Sequence, residues 1–151
     1  MDKKVLLIAG SKSDSDAVAR CEEYLDKLGI GYETEFCSAH RDPERTSQLA
    51  RDAAKNGFEV LICLAGMSAA LPGVVAAHTL LPVIGVPLDG SSLSGFDALM
   101  SVVQMPPGIP VATVAVGKPG AANAAVLAAR ILALTDEGIA KRLKDYRESL
   151  K

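Results

Sequence analysis

The sequence predicts an α/β chain: a three-layer αβα sandwich built on a five-stranded parallel sheet, with an amphipathic helix at its C-terminal end. Three observations lead there. Short apolar runs of strand length recur along the chain. Segments with a helical period separate them. The runs are apolar throughout rather than alternating, as expected for strands covered on both faces, which parallel sheets require.

The elements follow in order. "VLLIAG" (5–10) is a buried strand ending in glycine, and residues 13–29 carry Val18, Cys21, Leu25 and Leu28 on one helical stripe that Gly29 ends. "GYETEFC" (31–37) reads as a second strand. A helix over 43–57 has Asp42 as N-cap, Pro43 at its first position and Gly57 past its end. "EVLICLAG" (59–66) is a third strand buried on both faces, followed by a small-residue helix over 68–80 with Pro72 early in it. "PVIGVP" (82–87) is the fourth strand, 95–105 a helix, "PVATVAVG" (110–117) the fifth strand and 121–134 an alanine-rich helix. Ile139, Leu143, Tyr146 and Leu150 then repeat at the spacing of an amphipathic helix. Five strands in this alternation suggest the flavodoxin-like order 2-1-3-4-5.

Composition narrows the function. The 151 residues suit one domain, and neither a repeat nor a linker divides them, so residues 1–151 are read as a single catalytic domain. A net charge of −2 lacks the basic excess that nucleic-acid binding needs. No segment reads as a membrane span, and the charged start with its short apolar run does not read as a secretion signal. Cys21, Cys37 and Cys63 contain no C-x-x-C pair, which points to core thiols in a reducing, cytoplasmic setting rather than to zinc or redox chemistry. No His, Cys or acidic cluster has metal-ligand spacing, and no G-x-S-x-G elbow, Walker A loop or G-x-G-x-x-G is present. The expectation is chemistry without metal or cofactor.

Ligands of open parallel sheets bind beyond the carboxyl ends of the strands. That rule selects "GSKSD" (10–14), "SAHR" (38–41), "AGMSAALPG" (65–73) and "PLDGSSLSG" (87–95). In the first, Ser11 and Ser13 sit where a loop enters a helix, a natural anion site, and Asp14 suits ribose hydroxyls better than phosphate. Equally, Ser13 or Asp14 would simply cap the helix. In the second, Arg41 has the planar fork that grips phosphate, and His40 is a side chain that can titrate near neutrality. Asp42 and Pro43 already supply the cap there, so His40 is left for other work. The third stretch offers backbone N–H groups and little bulk, able to bed a flat ring or a small gas molecule, with Met67 read as packing. His78, within a helical segment, reads as a packing histidine.

Together "GSKSD", "SAHRDP", "LPGVVAAHTLLPVIGVP", "LSGFDALMSVVQMPPGIPVAT" and "GAANAAVLAARIL" resemble the family of N5-carboxyaminoimidazole ribonucleotide mutases and aminoimidazole ribonucleotide carboxylases of purine biosynthesis, almost from end to end. The resemblance implies a mutase that moves a carboxylate from the exocyclic nitrogen of a phosphoribosyl aminoimidazole to ring carbon C4, through carbon dioxide released and recaptured in the pocket. His40 would shuttle the proton. Ser11, Ser13, Asp14 and Arg41 would bind phosphate and ribose, with Ser38 and Ala39 in the same loop. Gly66, Ser68 and Leu71 would line the ring and carbon dioxide pocket. The family uses no cofactor and typically forms homo-octamers. One stretch departs from the pattern. Mutases usually read "AGGAAHLPG" there, with glycine at the position of Met67 and histidine at that of Ala70. Direct carboxylases, which use free carbon dioxide, typically read "AGRSNALSG". "SAHR" and "QMP" follow the mutases, so a mutase is the expectation and a carboxylase the alternative. A phosphoribosyl-binding module without catalysis is the non-enzymatic alternative, and it would need no proton shuttle.

Overall fold

A computed structural model describes residues 1–151. The elements are β1 Lys3–Ala9, a 3-10 turn Lys12–Asp14, α1 Ser15–Lys27, β2 Gly31–Phe36, α2 Pro43–Asp52, β3 Val60–Ala65, α3 Leu71–Ala76, β4 Val83–Pro87, α4 Phe96–Val103, β5 Ala112–Thr113, α5 Lys118–Leu132 and α6 Glu137–Glu148. All strands are parallel, in the order β2-β1-β3-β4-β5 that the alternation of elements predicted.

Side-chain alternation along the central strands divides the interior into two apolar layers. Val5, Leu7 and Ala9 of β1, with Val60, Ile62 and Leu64 of β3, face the layer shared with α1, α5 and α6. Leu6 and Ile8, with Leu61, Cys63 and Ala65, face the layer shared with α2, α3 and α4. Every residue of β3 is buried, while β2 at the edge is mostly half-buried. On the first layer the alanines of α5 (Ala121, Ala124, Ala125, Ala128 and Ala129) are all buried and let that helix lie close to the sheet and α1. α6 is tied to the far end of α1 by Arg142, whose Nε donates to the Leu28 carbonyl at 2.7 Å.

The register brings the carboxyl ends of four strands level. Ala9 lies opposite Phe36 and Leu64, and Ala65 opposite Pro87. Backbone bonds extend the alignment past the strands: Cys37 N–H donates to Ala9 O (2.8 Å), Gly10 N–H to Leu64 O (3.1 Å) and Leu88 N–H to Ala65 O (2.9 Å). Four loops therefore leave the sheet along one edge.

Several elements are shorter than their sequence patterns. The fifth strand, expected over 110–117, pairs only at Ala112 and Thr113, against Ile84 and Gly85. It lies at the sheet edge with one neighbour, and Pro110 has no N–H to donate. The helix expected over 43–57 ends at Asp52, and the chain turns through Gly57 at φ 89°. The helix expected over 68–80 is reduced to Leu71–Ala76, because the chain is left-handed at Met67 and Pro72 marks the first turn. The helix expected over 95–105 spans Phe96–Val103, and the alanine-rich helix begins three residues early, at Lys118, with Gly117 as N-cap. No helix is long and apolar enough to cross a membrane.

Candidate active site

The four loops enclose a cleft of about 480 Å³ along the carboxyl edge of the sheet. Its walls come from Gly10, Ser11, Ser13 and Asp14 after β1, Ser38–Arg41 after β2, residues 65–71 after β3, and Leu88 and Gly90 after β4. All ten residues nominated from the sequence (His40, Ser11, Ser13, Asp14, Ser38, Ala39, Arg41, Gly66, Ser68 and Leu71) line this one cleft. His78 stands apart, half-buried in the turn after α3.

The first loop resolves the choice between cap and free donor residue by residue. Ser11 caps the 3-10 turn, accepting from Ser13 N–H at 3.3 Å, and the Asp14 carboxylate accepts in return from Ser11 N–H at 3.1 Å. This is a capping box. The Ser13 hydroxyl donates to Ser11 Oγ at 2.9 Å. Ser11 Oγ thus accepts twice and keeps its own proton for a ligand. Asp14 occupies the N-cap position of α1 but makes no side-chain bond to it. Burial pushes the Asp14 carboxyl above its ordinary range, opposed by the bond from Ser11 N–H.

The second loop is a turn pinned at both ends. Asp42 N–H donates to Ser38 O at 2.8 Å, and Arg41 N–H to Ser38 Oγ at 3.2 Å. Asp42 caps α2 as expected, its carboxylate accepting from Arg45 N–H at 3.2 Å. Beneath the turn, buried Cys37 lies with its sulfur 3.1 Å from Thr46 Oγ1, and that hydroxyl donates to Asp42 O at 2.9 Å. Cys37, read from the sequence as filler, is a tie between the end of β2 and the start of α2. Between the pinned ends, His40 and Arg41 are exposed, and their side chains take no hydrogen-bonding partner from the protein. Arg45, four residues on, is consumed by structure: it donates to Phe36 O at 2.9 Å and pairs with Glu35. Arg41 is the arginine of this segment left for a ligand.

The third loop supplies bulkless wall and one exception. Leu71 and Ala69 are buried at 2% and 3% exposure, while Gly66, Ser68 and Ala70 open toward the cleft. Met67, read from the sequence as a packing residue, packs in neither apolar layer. It is 66% exposed, at a left-handed φ of 54°. For a residue with a Cβ that conformation costs on the order of 1–2 kcal/mol. Gly10, Ala65, Ala69, Ala70, Leu88 and Gly90 also line the cleft and were not nominated. Leu88 and Gly90 lie in a stretch that the strand-end rule had marked, and an apolar leucine gave no chemical signal by which to choose it.

The cysteines away from the cleft are inert. Burial pushes the Cys21 thiol up to about 12 and the Cys63 thiol higher still, so neither offers a thiolate at neutral pH.

The cleft thus combines an unpartnered imidazole and guanidinium, a serine-rich loop entering a helix, and a small-residue wall. Comparison with known proteins identifies the family. The family model described as AIR carboxylase matches residues 4–151. The chain is 49% identical to an N5-carboxyaminoimidazole ribonucleotide mutase of Haemophilus influenzae over 97% of this chain and 89% of that protein. It is 48% identical to the protein of the same name from Escherichia coli K12, covering 97% and 86%, and 50% identical to that from Pyrococcus abyssi, covering 98% and 84%. A crystal structure of Treponema denticola PurE superposes with a TM-score of 0.87 at 34% identity, covering 97% of this chain and 90% of that one. With nearly its whole length matched by the family model, by relatives and by a solved fold, the chain belongs to the AIR carboxylase family.

Proposed function

We propose that this protein is an N5-carboxyaminoimidazole ribonucleotide mutase of purine biosynthesis, an isomerase that moves a carboxylate from the exocyclic amine to C4 of the imidazole. The observation that carries the reading is the 46–50% identity, over 97–100% of the chain, to proteins of that name. The geometry of the cleft supports it.

The phosphate is held by Arg41 and by the Ser11 hydroxyl, with Ser13 orienting that hydroxyl or turning its own proton to the phosphate when the nucleotide binds, and Asp14 accepts from the ribose. Ser38 and Ala39 shape the floor beneath the reacting ring, and Gly66, Ser68 and Leu71 form its wall. The exocyclic nitrogen–carbon bond breaks, carbon dioxide leaves, and the nitrogen takes a proton from His40. The electron pair of C4 then attacks carbon dioxide, and His40 takes the C4 proton as the new carbon–carbon bond is made. One proton is given and one recovered, so the sum is an isomerisation. A single well-placed acid–base group is worth roughly two to four orders of magnitude in rate. Neither step transfers electrons to an acceptor, and the residues described suffice without a cofactor.

Residues 1–151 act in this reading as a single catalytic domain, working in the cytoplasm as a homo-octamer. The direct carboxylase is the second reading. It is favoured by Ala70, which lines the cleft without the ring that the mutase pattern places there. The test separates the two. Supplied with the N-carboxylated nucleotide, the protein converts it rapidly to the C4-carboxylated product. Supplied with aminoimidazole ribonucleotide and bicarbonate, it turns over poorly. Efficient turnover of the second mixture alone overturns the mutase in favour of the carboxylase.

A further inference from the structure

We infer that Met67 is a specificity-determining residue, whose side chain closes the mouth of the cleft over the bound imidazole and keeps released carbon dioxide from escaping. The inference rests on the mutase reading above and deepens it.

Three observations meet at this residue. Met67 and Ser94 are the two non-glycine residues with positive φ, at 54° and 55°. Glycine adopts that conformation without penalty, so the methionine is held against the preference of its backbone. Its side chain is 66% exposed and belongs to neither apolar layer, so core packing does not repay the cost. It does line the cleft that His40 also lines.

The rest of the lining shows what Met67 adds. The other large apolar side chains there, Leu71 and Leu88, are 2% and 5% exposed and form fixed wall. The remaining positions are small, polar or charged. Met67 is therefore the one large apolar side chain in the cleft that the packing of its own chain does not fix, and its unbranched thioether adapts to a flat ring. Carbon dioxide carries no charge and offers poor hydrogen-bonding handles. A closed, water-excluding surface is what retains it. Mutases of the pattern quoted above carry their bulk on the same loop, as a ring at the position of Ala70. In this chain the bulk stands at 67 instead.

The experiment follows the fate of the carboxylate. The full-length protein is given N-carboxylated nucleotide labelled with carbon-13 in its carboxylate, in unlabelled bicarbonate. Label retained at C4 is compared with label lost to the bulk pool. Met67→Gly suits the backbone, and thermal melting checks its folding. It is expected to raise the ratio of lost to retained label on the order of tenfold, the scale of a methylene or two in an apolar pocket. Met67→Leu is expected to restore retention. Retention in Met67→Gly equal to that of an active parent protein overturns the assignment of Met67 alone, as does loss that Met67→Leu fails to repair. A parent protein that cannot convert the labelled substrate overturns the mutase reading, and this inference with it.

Discussion

The sulfur of Cys37 and the hydroxyl oxygen of Thr46 lie 3.1 Å apart beneath the turn that presents His40 and Arg41. The contact joins the last position of the β2 extension to the first turn of α2, across a turn in which the His40 and Arg41 side chains take no partner from the protein. Replacing Thr46 with valine keeps the volume and removes the hydroxyl. Thr46→Val is expected to cost about 0.5–1.5 kcal/mol of stability, the worth of a typical internal hydrogen bond. It should also lower kcat more than it raises KM, since the loosened turn places the imidazole less well. Urea unfolding and steady-state kinetics measure the two effects. Unchanged kcat in a destabilised protein would leave the contact a purely structural one.

His40 and Arg41 are adjacent and are expected to fail differently. His40→Asn should lower turnover by roughly two to four orders of magnitude while nucleotide binding persists. Arg41→Ala should weaken binding of the phosphorylated substrate by roughly 1.5–3 kcal/mol, the loss of a charged hydrogen bond. Arg45→Ala is the control: its exposed pair with Glu35 should contribute no more than about 1 kcal/mol to stability and nothing to substrate affinity. Steady-state turnover, read beside calorimetric titration with the nucleotide, separates the three.

Asp14 makes stability depend on pH in an unusual direction for a carboxylate. Burial raises its pKa above the ordinary 3.8, so in the window from 3.8 upward the folded chain holds more proton than the unfolded one. Stability contributed by this group is then present at low pH and is lost as pH rises through the raised value. Asp14→Asn keeps an oxygen for Ser11 N–H and removes the titration. Relative to the parent, the variant is expected to gain stability between about pH 3 and about pH 7. Chemical denaturation at the two values tests it, and a difference that stays constant with pH would refute it.

Gly120, in the first turn of α5, has no room for a side chain. A Cβ there would lie 1.6 Å from the carbonyl oxygen of Ala115, a backbone atom that cannot swing aside. Gly120→Ala is expected to cost about 1–3 kcal/mol or more. The unfolding midpoint should fall with its slope unchanged. A midpoint equal to the parent's would mean that the turn relaxes freely.

The central strands were legible in the sequence because burial on both faces writes itself as an unbroken apolar run, as in "VLLIAG" and "EVLICLAG". The fifth strand was over-read. Its alternating V-A-T-V-A-V looks like pairing, and nothing local says that only one neighbour is available or that Pro110 spoils the entry. The cleft was legible because one rule, ligands beyond the carboxyl ends of parallel strands, converts chain order into spatial proximity. Met67 was misread for a physical reason. A methionine beside a buried strand is usually core, and the reversal of its side chain depends on a left-handed φ that the letters do not encode.

The walls of the cleft reach from Gly10 to Gly90 and belong to four separate strand ends. A partly assembled chain that has docked only its first two strands brings Asp14 and Arg41 together but lacks the walls that follow β3 and β4. Nucleotide therefore recognises completed folding, and occupancy acts back on it: ligand at a hundred times its dissociation constant holds the assembled state by about 2.7 kcal/mol. In a cell, the supply of substrate would then help to set how long each copy of this protein survives.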